Sequence, residues 1–538
     1  MAGYLTLNAN SPRGSSPGSM VNRRARGPKM GGGNASMISS NINLLNTIVG
    51  AGTLAMPGAM SHFGVVLGVL LIIWCGLTSA FGLYLQSRCA RYLDRGTSSF
   101  FALSQITYPN AAVVFDAAIA IKCFGVGVSY MIIIGDLMPG VAEAFGSADS
   151  DLTFLADRKF WITVFFLVFI IPLSFPKKLD SLKYTSIVAL VSIGYLVILV
   201  VYHFAADEVP NNRDIRIITW EGPIAALKSL PVIIFAYTCH QNMFSILNEI
   251  KDNTPLSIVS VIGGSIGTAA SIYILVAITG YLTFGNDVKG NIVGMYPPSI
   301  ASTIAKAAIV VLVTFSIPLQ IHPCRASIDA VFRWRPNGSR STGPGPSASG
   351  NQPLLPSASG SGSGGGMLDS HGAPVVAMSE LRFAVITSGI LVLSYFTALN
   401  VSTLDTVLAY VGSTGSTAIS FILPGLFYYK ISDPDSIYHQ RLTKEDDDAE
   451  YSAEDDDSDG AADGEAGPSG MLDSVASLRS NASAGGRSRL ARWRRKWRWD
   501  LEHLDTGLLR KMALGLSIYG VCVMIVCLTM NTVFQAKH

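Results

Sequence analysis

The chain has 538 residues, of which 49% are apolar types and only 14% charged, whereas an ordinary soluble domain carries about 25% charged residues. That shortage of charge excludes a plain water-soluble globule, and the formal charge of +2 hides opposite local excesses. Once the polar, low-complexity stretches 1–36, 329–379 and 431–507 are set aside, the remainder suffices for about eleven membrane spans of roughly 20 apolar residues each.

Residues 1–36 form a basic tail rich in Gly, Ser and Pro, with no apolar core ahead of a cleavage site. No removable signal peptide is expected, so the first span serves as the insertion signal. Spans are predicted at 37–60, 64–88, 111–140, 160–176, 184–204, 223–248, 256–284 and 300–327, filling a membrane region 37–328. A disordered linker, 329–379, precedes spans at 381–400 and 404–429, within 380–430. The segment 431–507 is a second disordered loop, acidic around Glu445 to Asp457 and then basic, before a last span at 508–533 and a short tail in 508–538. Continuous apolar runs of this length indicate helices, because a span in hydrocarbon must satisfy its own backbone groups. The fold class is an all-α polytopic membrane protein.

With a cytosolic N-terminus, 30 of the 39 lysines and arginines fall in cytosolic segments, and the C-terminus, ending Lys537-His538, lies on the other side. The run Arg492 to Trp499 alternates cations with tryptophan, so anionic lipids at the cytosolic leaflet are its expected partner and a nucleic acid is not. Cysteines 75, 89, 123, 239, 324, 522 and 527 sit in or beside apolar runs without metal-ligand spacing, so neither a disulfide framework nor a metal site is indicated. No HExxH and no pair of intramembrane aspartates suggests an enzyme.

Span one contains Asn46-Thr47-Ile48-Val49-Gly50-Ala51-Gly52-Thr53, then Pro57. Glycines and proline at mid-span weaken the helix where a break is tolerable only beside a cavity; the same small residues would also suit close helix packing. Span six repeats the pattern with Tyr237-Thr238-Cys239-His240-Gln241 after Pro231. Two interrupted helices five spans apart point to an inverted-repeat transporter with its site at the midplane. Such a site fits a zwitterion: free amides after Gly52 suit a carboxylate, and unwound carbonyls around Tyr237 to His240 suit an ammonium group. In span three, Lys122, Ser129 and Asp136 share one helical face. This reads either as a charged path for ions or as buried groups satisfied by neighbours. Thr314 and Ser316 before Pro318 could ligate a cation or bond back to their own helix, Lys306 is expected to snorkel, and His240 is either a titrating group or a neutral, hydrogen-bonded one.

The stretches Ser40 to Pro57, Phe235 to Phe244 with Asn248-Glu249, and Pro318 to Arg325 resemble the first, sixth and eighth spans of the amino acid/auxin permease family. The chain is most similar to its fungal vacuolar amino acid transporters, with the sodium-coupled neutral amino acid transporters as animal relatives. The resemblance implies a LeuT-like fold, a five-plus-five inverted repeat with one extra helix, working by alternating access. The expected function is secondary active transport of neutral or broad-range amino acids across the vacuolar membrane, or alternatively the plasma membrane, with release to the cytosol, no cofactor, and H+ as coupling ion, a sodium-coupled neutral amino acid symporter being the alternative. Gly50, Ala51 and Gly52 would take the carboxylate, Thr238 to Gln241 the amino-group side, and Asn46 with Ser316 any sodium ion. An amino acid receptor signalling through the cytosolic tails is a competing expectation.

Overall fold

Glycine and proline placement divides the helices where the sequence is weakest. In this computed structural model, which describes residues 33–93, 95–144, 153–176, 185–206, 214–333, 379–444 and 506–535, the first span consists of two half-helices, α1 (Met37–Ile48) and α2 (Ala51–Phe63). Ser36 caps α1 by accepting the Ser39 amide at 3.1 Å. Gly64 then turns the chain with φ 74°, and a Cβ there would lie 2.5 Å from the Thr219 carbonyl, so only glycine fits. There follow α3 (Val65–Ala90), α4 (Phe100–Thr107), α5 (Ala112–Ala144), α6 (Arg158–Phe165), α7 (Ile171–Ser174) and α8 (Thr185–Ala205). The sixth span is again split, into α9 (Pro223–Ala236) and α10 (His240–Glu249). Next come α11 (Pro255–Phe284), α12 (Ile300–Arg333), α13 (Glu380–Asn400), α14 (Leu404–Val411), α15 (Leu423–Ile431) and α16 (Thr506–Gln535).

Among the described residues, nine helical stretches are long and apolar enough to cross a membrane, from Val65–Ala90 to Gly507–Val533. The expected first and fourth spans are helical too, but interrupted: by the break at Val49-Gly50, and by a π-helical turn at Phe166–Ile170 just before Pro172. Large apolar side chains such as Leu70, Leu77, Val191, Ile198, Val385, Leu393 and Ile525 point outward, as a lipid-facing surface requires. The half-helices α2 and α9 are buried at the centre and packed on each other, and α2 packs on α11 as well.

Two boundaries need correction. The helix of span eight continues to Arg333, inside the stretch expected as linker, because Asp329 pairs with Arg333 at 2.8 Å and with Arg382 of α13 at 2.6 Å, which removes the penalty of its charge. The stretch expected as a second loop begins with a further short helix, 437–444, and Asp433 is tied to Arg510 of α16 at 2.6 Å. The rest of the N-tail, the linker at 334–378, the acidic and basic stretches at 445–505 including Arg492 to Trp499, and the C-tail at 536–538 lie outside the described residues.

Candidate functional site

At the first break, Val49 is extended (φ −82°, ψ 97°) and Gly50 takes φ −149°, ψ −135°, so the amides opening α2 have no preceding helical turn. At the second, Tyr237 to Cys239 leave helical geometry and α10 restarts at His240. Each break frees carbonyls that hydrocarbon would not tolerate unpaired. One side chain serves both: the Tyr273 hydroxyl of α11 lies 2.7 Å from the Ile48 carbonyl and 2.8 Å from that of Ala236. Across the same junction Asn242 donates to the Thr47 hydroxyl at 2.9 Å, and Thr47 donates to the Asn43 carbonyl at 3.0 Å. Gly52 lies so close to α9 that a Cβ there would come within 2.5 Å of the Ala236 Cβ.

A cavity of about 330 Å³ runs from these breaks toward the end of the bundle where α1 begins. Its walls are Asn43, Asn46 to Gly52 and Leu54 of the first span, the Lys122–Val126–Tyr130 face of α5, residues of α8 and α12, and Thr238, Gln241, Asn242 and Ser245 of the sixth span. At the far end, Ala51 to Met60 are buried and separate it from a second cavity of about 510 Å³ lined by His62, Glu221, Lys228 and Asp405. There the His62 Nδ1 lies 2.6 Å from the Glu221 carboxylate, which Arg216 also approaches at 3.4 Å. The central cavity is thus open at one end and sealed at the other.

Of the expected binding residues, Thr47, Gly50, Ala51, Gly52, Thr238 and Gln241 line this cavity, together with Asn46, Ser316 and Lys122 from the ion-coupling set. Thr53, Tyr237, Cys239 and His240 do not line it; they are buried among helices. The carbonyls expected to receive an ammonium group at Tyr237 and His240 are already engaged by α3, through the Ser79 hydroxyl at 3.2 Å and the Gln86 amide at 2.9 Å. His240 itself donates from Nε2 to the Ser79 carbonyl at 3.2 Å. The polar run of span six therefore serves largely to dock α10 on α3, a role a sequence pattern cannot separate from substrate contact.

Thr314 and Ser316 both bond back one turn, to the Val310 carbonyl at 2.7 Å and the Leu312 carbonyl at 2.8 Å, and Thr314 is outside the cavity. Asp136 is paired with Arg158 at 2.9 Å near the sealed end, so it and Lys122 belong to different environments despite their common helical face. Lys306 does not snorkel: it is buried, with Nζ 3.4 Å from the Tyr296 carbonyl. Asn248 clamps both backbone groups of Ser98, at 3.1 and 2.9 Å, and Arg325 stacks 4.0 Å above Phe383 while bonding Thr387. These motif residues hold helices together away from the cavity. Sequence reasoning missed Tyr130, Asn242, Ser245 and Gln320; the spacing of Tyr130 eight residues after Lys122 was the available signal.

Residues 33–446 match the family model described as transmembrane amino acid transporter protein. The chain is 42% identical over 422 residues to the vacuolar amino acid transporter 6 of Saccharomyces cerevisiae, covering 74% of this chain and 90% of that one. To the sodium-coupled neutral amino acid transporter 7 of Bos taurus it is 27% identical over 312 residues, 56% of this chain and 66% of that one. Among solved structures, MhsT in complex with L-phenylalanine aligns with 75% of this chain and 93% of its own, with a TM-score of 0.46 and 13% sequence identity.

Proposed function

The chain belongs to the transmembrane amino acid transporter family, whose members move solutes and are not enzymes, and from that premise we propose that it carries amino acids through the central cavity by alternating access, driven by protons, across the vacuolar membrane. The observation that carries this reading is the cavity itself, placed between two interrupted helices and open at one end only. The amides opening α2 at Gly50 to Gly52 receive the substrate carboxylate. Asn46, Thr47, Thr238, Gln241 and Asn242 supply acceptors for its ammonium group.

The distribution of Lys and Arg supports a cytosolic N-terminus and a lumenal C-terminus, in which case the open end faces the cytosol and the sealed end, with His62, Glu221 and Asp405, faces the lumen. Rocking of α1–α3 and α9–α11 against the remaining helices would open the lumenal end as the cytosolic end closes, and substrate would leave toward the cytosol on the reverse movement. The likeness of the chain to the vacuolar amino acid transporter 6 of Saccharomyces cerevisiae supports the membrane assigned. A sodium-coupled mechanism is the second reading, favoured by the placement of Asn46 and Ser316 on the same cavity. Uptake of radiolabelled amino acids by proteoliposomes under separately imposed pH and sodium gradients decides between them. Accumulation driven by the pH gradient alone is expected; absence of uptake under either gradient would overturn the transport reading.

A further inference from the structure

A group of cations is gathered away from the central cavity. At the end of the bundle where α1 begins, the C-terminal end of α3 and the loop joining α10 to α11 enclose a separate cavity of about 570 Å³. Among the described residues, Arg88, Arg91, Arg95 and Lys251 stand in its walls against one carboxylate, Asp252. That carboxylate is engaged within its own loop, accepting from the Ser257 hydroxyl at 2.6 Å and the Thr254 amide at 3.2 Å. Arg95 is fixed in place by donating to the Ile250 and Lys251 carbonyls at 3.1 and 2.9 Å. A cation near a helix C-terminus answers the negative end of its dipole. Four cations around one cavity also repel one another, and an anion between them removes that repulsion.

We propose that this cavity binds the headgroup of a membrane lipid bearing phosphate monoesters, its phosphates pairing with Arg88, Arg91, Arg95 and Lys251. The depth is that of lipid headgroups: the membrane-crossing stretch Val65–Ala90 ends in the cavity wall, and the stretch Pro255–Asp287 begins there. Leu247, Ile258 and Val259 add an apolar strip to the walls, and Leu256 beside them is 63% exposed, as a side chain against acyl chains is. A lipid with a single phosphodiester brings one negative charge, whereas phosphate monoesters bring about 1.5 to 2 each and match the excess of cations. A soluble phosphate matches the charge but makes no use of the apolar strip. The loop that carries Lys251 also pairs with the approach to α1, through the Ala35 amide to the Glu249 carbonyl and the Lys251 amide to the Ala35 carbonyl, both at 2.9 Å. A bound headgroup therefore braces the ends of α3, α10 and α11 beside the open end of the central cavity.

The test is binding of fluorescent dioctanoyl phosphatidylinositol bisphosphate to the purified full chain, followed by anisotropy, with dioctanoyl phosphatidylcholine and free inositol trisphosphate as competitors. Wild type should bind the lipid at one site, phosphatidylcholine should not displace it, and inositol trisphosphate should compete at least about tenfold more weakly than the unlabelled lipid. The double variant Arg91→Gln/Lys251→Gln should lose at least about tenfold in affinity, and Lys430→Gln, a cytosolic lysine outside the cavity, should stay within about twofold. Thermal unfolding of each variant reports folding; should the double variant fail to fold, Lys251→Gln alone, at an exposed loop position, should weaken binding about threefold or more. Undiminished binding by these variants, or displacement by phosphatidylcholine, would overturn the assignment. Inositol trisphosphate competing as well as the lipid would give the cavity to a free phosphate, against the proposal. Binding that appears only after the acidic run 445–457 is replaced by neutral residues would make that run the occupant, also against it. Transport is not read here, so each of these failures leaves the transport reading intact.

Discussion

Gly52 lies where two interrupted helices meet, and adding one carbon there is the sharpest perturbation of the sealed end. In Gly52→Ala the new Cβ would be 2.5 Å from the Ala236 Cβ and 2.8 Å from its Cα. Carbon atoms pack at about 3.5 Å or more, so α2 and α9 must part by about 1 Å. Neither side can yield by rotamer change, since one contact is backbone and the other an alanine methyl. Overpacking of this kind disfavours the affected state by about 1–3 kcal/mol, which corresponds to a shift of roughly five- to 150-fold in a conformational equilibrium. The assay is paired: initial uptake rate in proteoliposomes and thermal unfolding of the same purified protein. Uptake is expected to fall at least about fivefold with a lowered Tm, while Gly194→Ala on α8, where a Cβ meets nothing within 4 Å, changes neither. Wild-type uptake and Tm for Gly52→Ala would refute the reasoning that this contact seals the cavity.

Tyr273→Phe removes the hydroxyl shared by the Ile48 and Ala236 carbonyls, leaving buried acceptors without their donor; destabilisation of about 1–3 kcal/mol and slower uptake are expected, measured by thermal unfolding and transport. Ser316→Ala takes away an oxygen whose hydrogen goes to its own helix, so uptake driven by a pH gradient should stay within about twofold; a sodium-stimulated uptake abolished by this change would assign the oxygen to a cation instead. Asp136→Asn weakens a partly exposed pair with Arg158 and should cost less than about 1 kcal/mol with the pH dependence of uptake unaltered, whereas loss of proton drive would make Asp136 a coupling group.

The two breaks were legible because Gly50, Gly52, Pro57 and Pro231 are backbone instructions that act locally, and a break in hydrocarbon needs a cavity or a partner wherever it occurs. The partner was not legible. Tyr273 carries no mark in the sequence that separates it from Tyr281, whose hydroxyl instead bonds Asn286 at 2.8 Å. Helix rotation explains most of the remaining misses. Lys122 and Asp136 share a face, yet one meets the cavity and the other Arg158, because that face is longer than the cavity beside it. Within Thr238 to Gln241 the residues part company: Thr238 and Gln241, three apart, turn to the cavity while Cys239 and His240 between them pack inward, a division set by how α10 docks on α3 through Gln86 and Ser79. The ends of α12 and the helix at 437–444 were hidden by composition, since charged and polar residues also read as linker when their ion-pair partners are far away in sequence.

The central claim is that amino acids occupy the cavity between the interrupted helices, and protection of a cysteine placed there tests it most directly. Ser316→Cys puts a thiol on the cavity wall, while Cys522 is exposed and the other native cysteines are buried, so Cys522 serves as an internal control. With a maleimide applied to the purified protein, a saturating transported amino acid should slow alkylation at position 316 several-fold and leave Cys522 unaffected. Equal alkylation at 316 with and without the amino acid, in protein that still transports it, would contradict the claim.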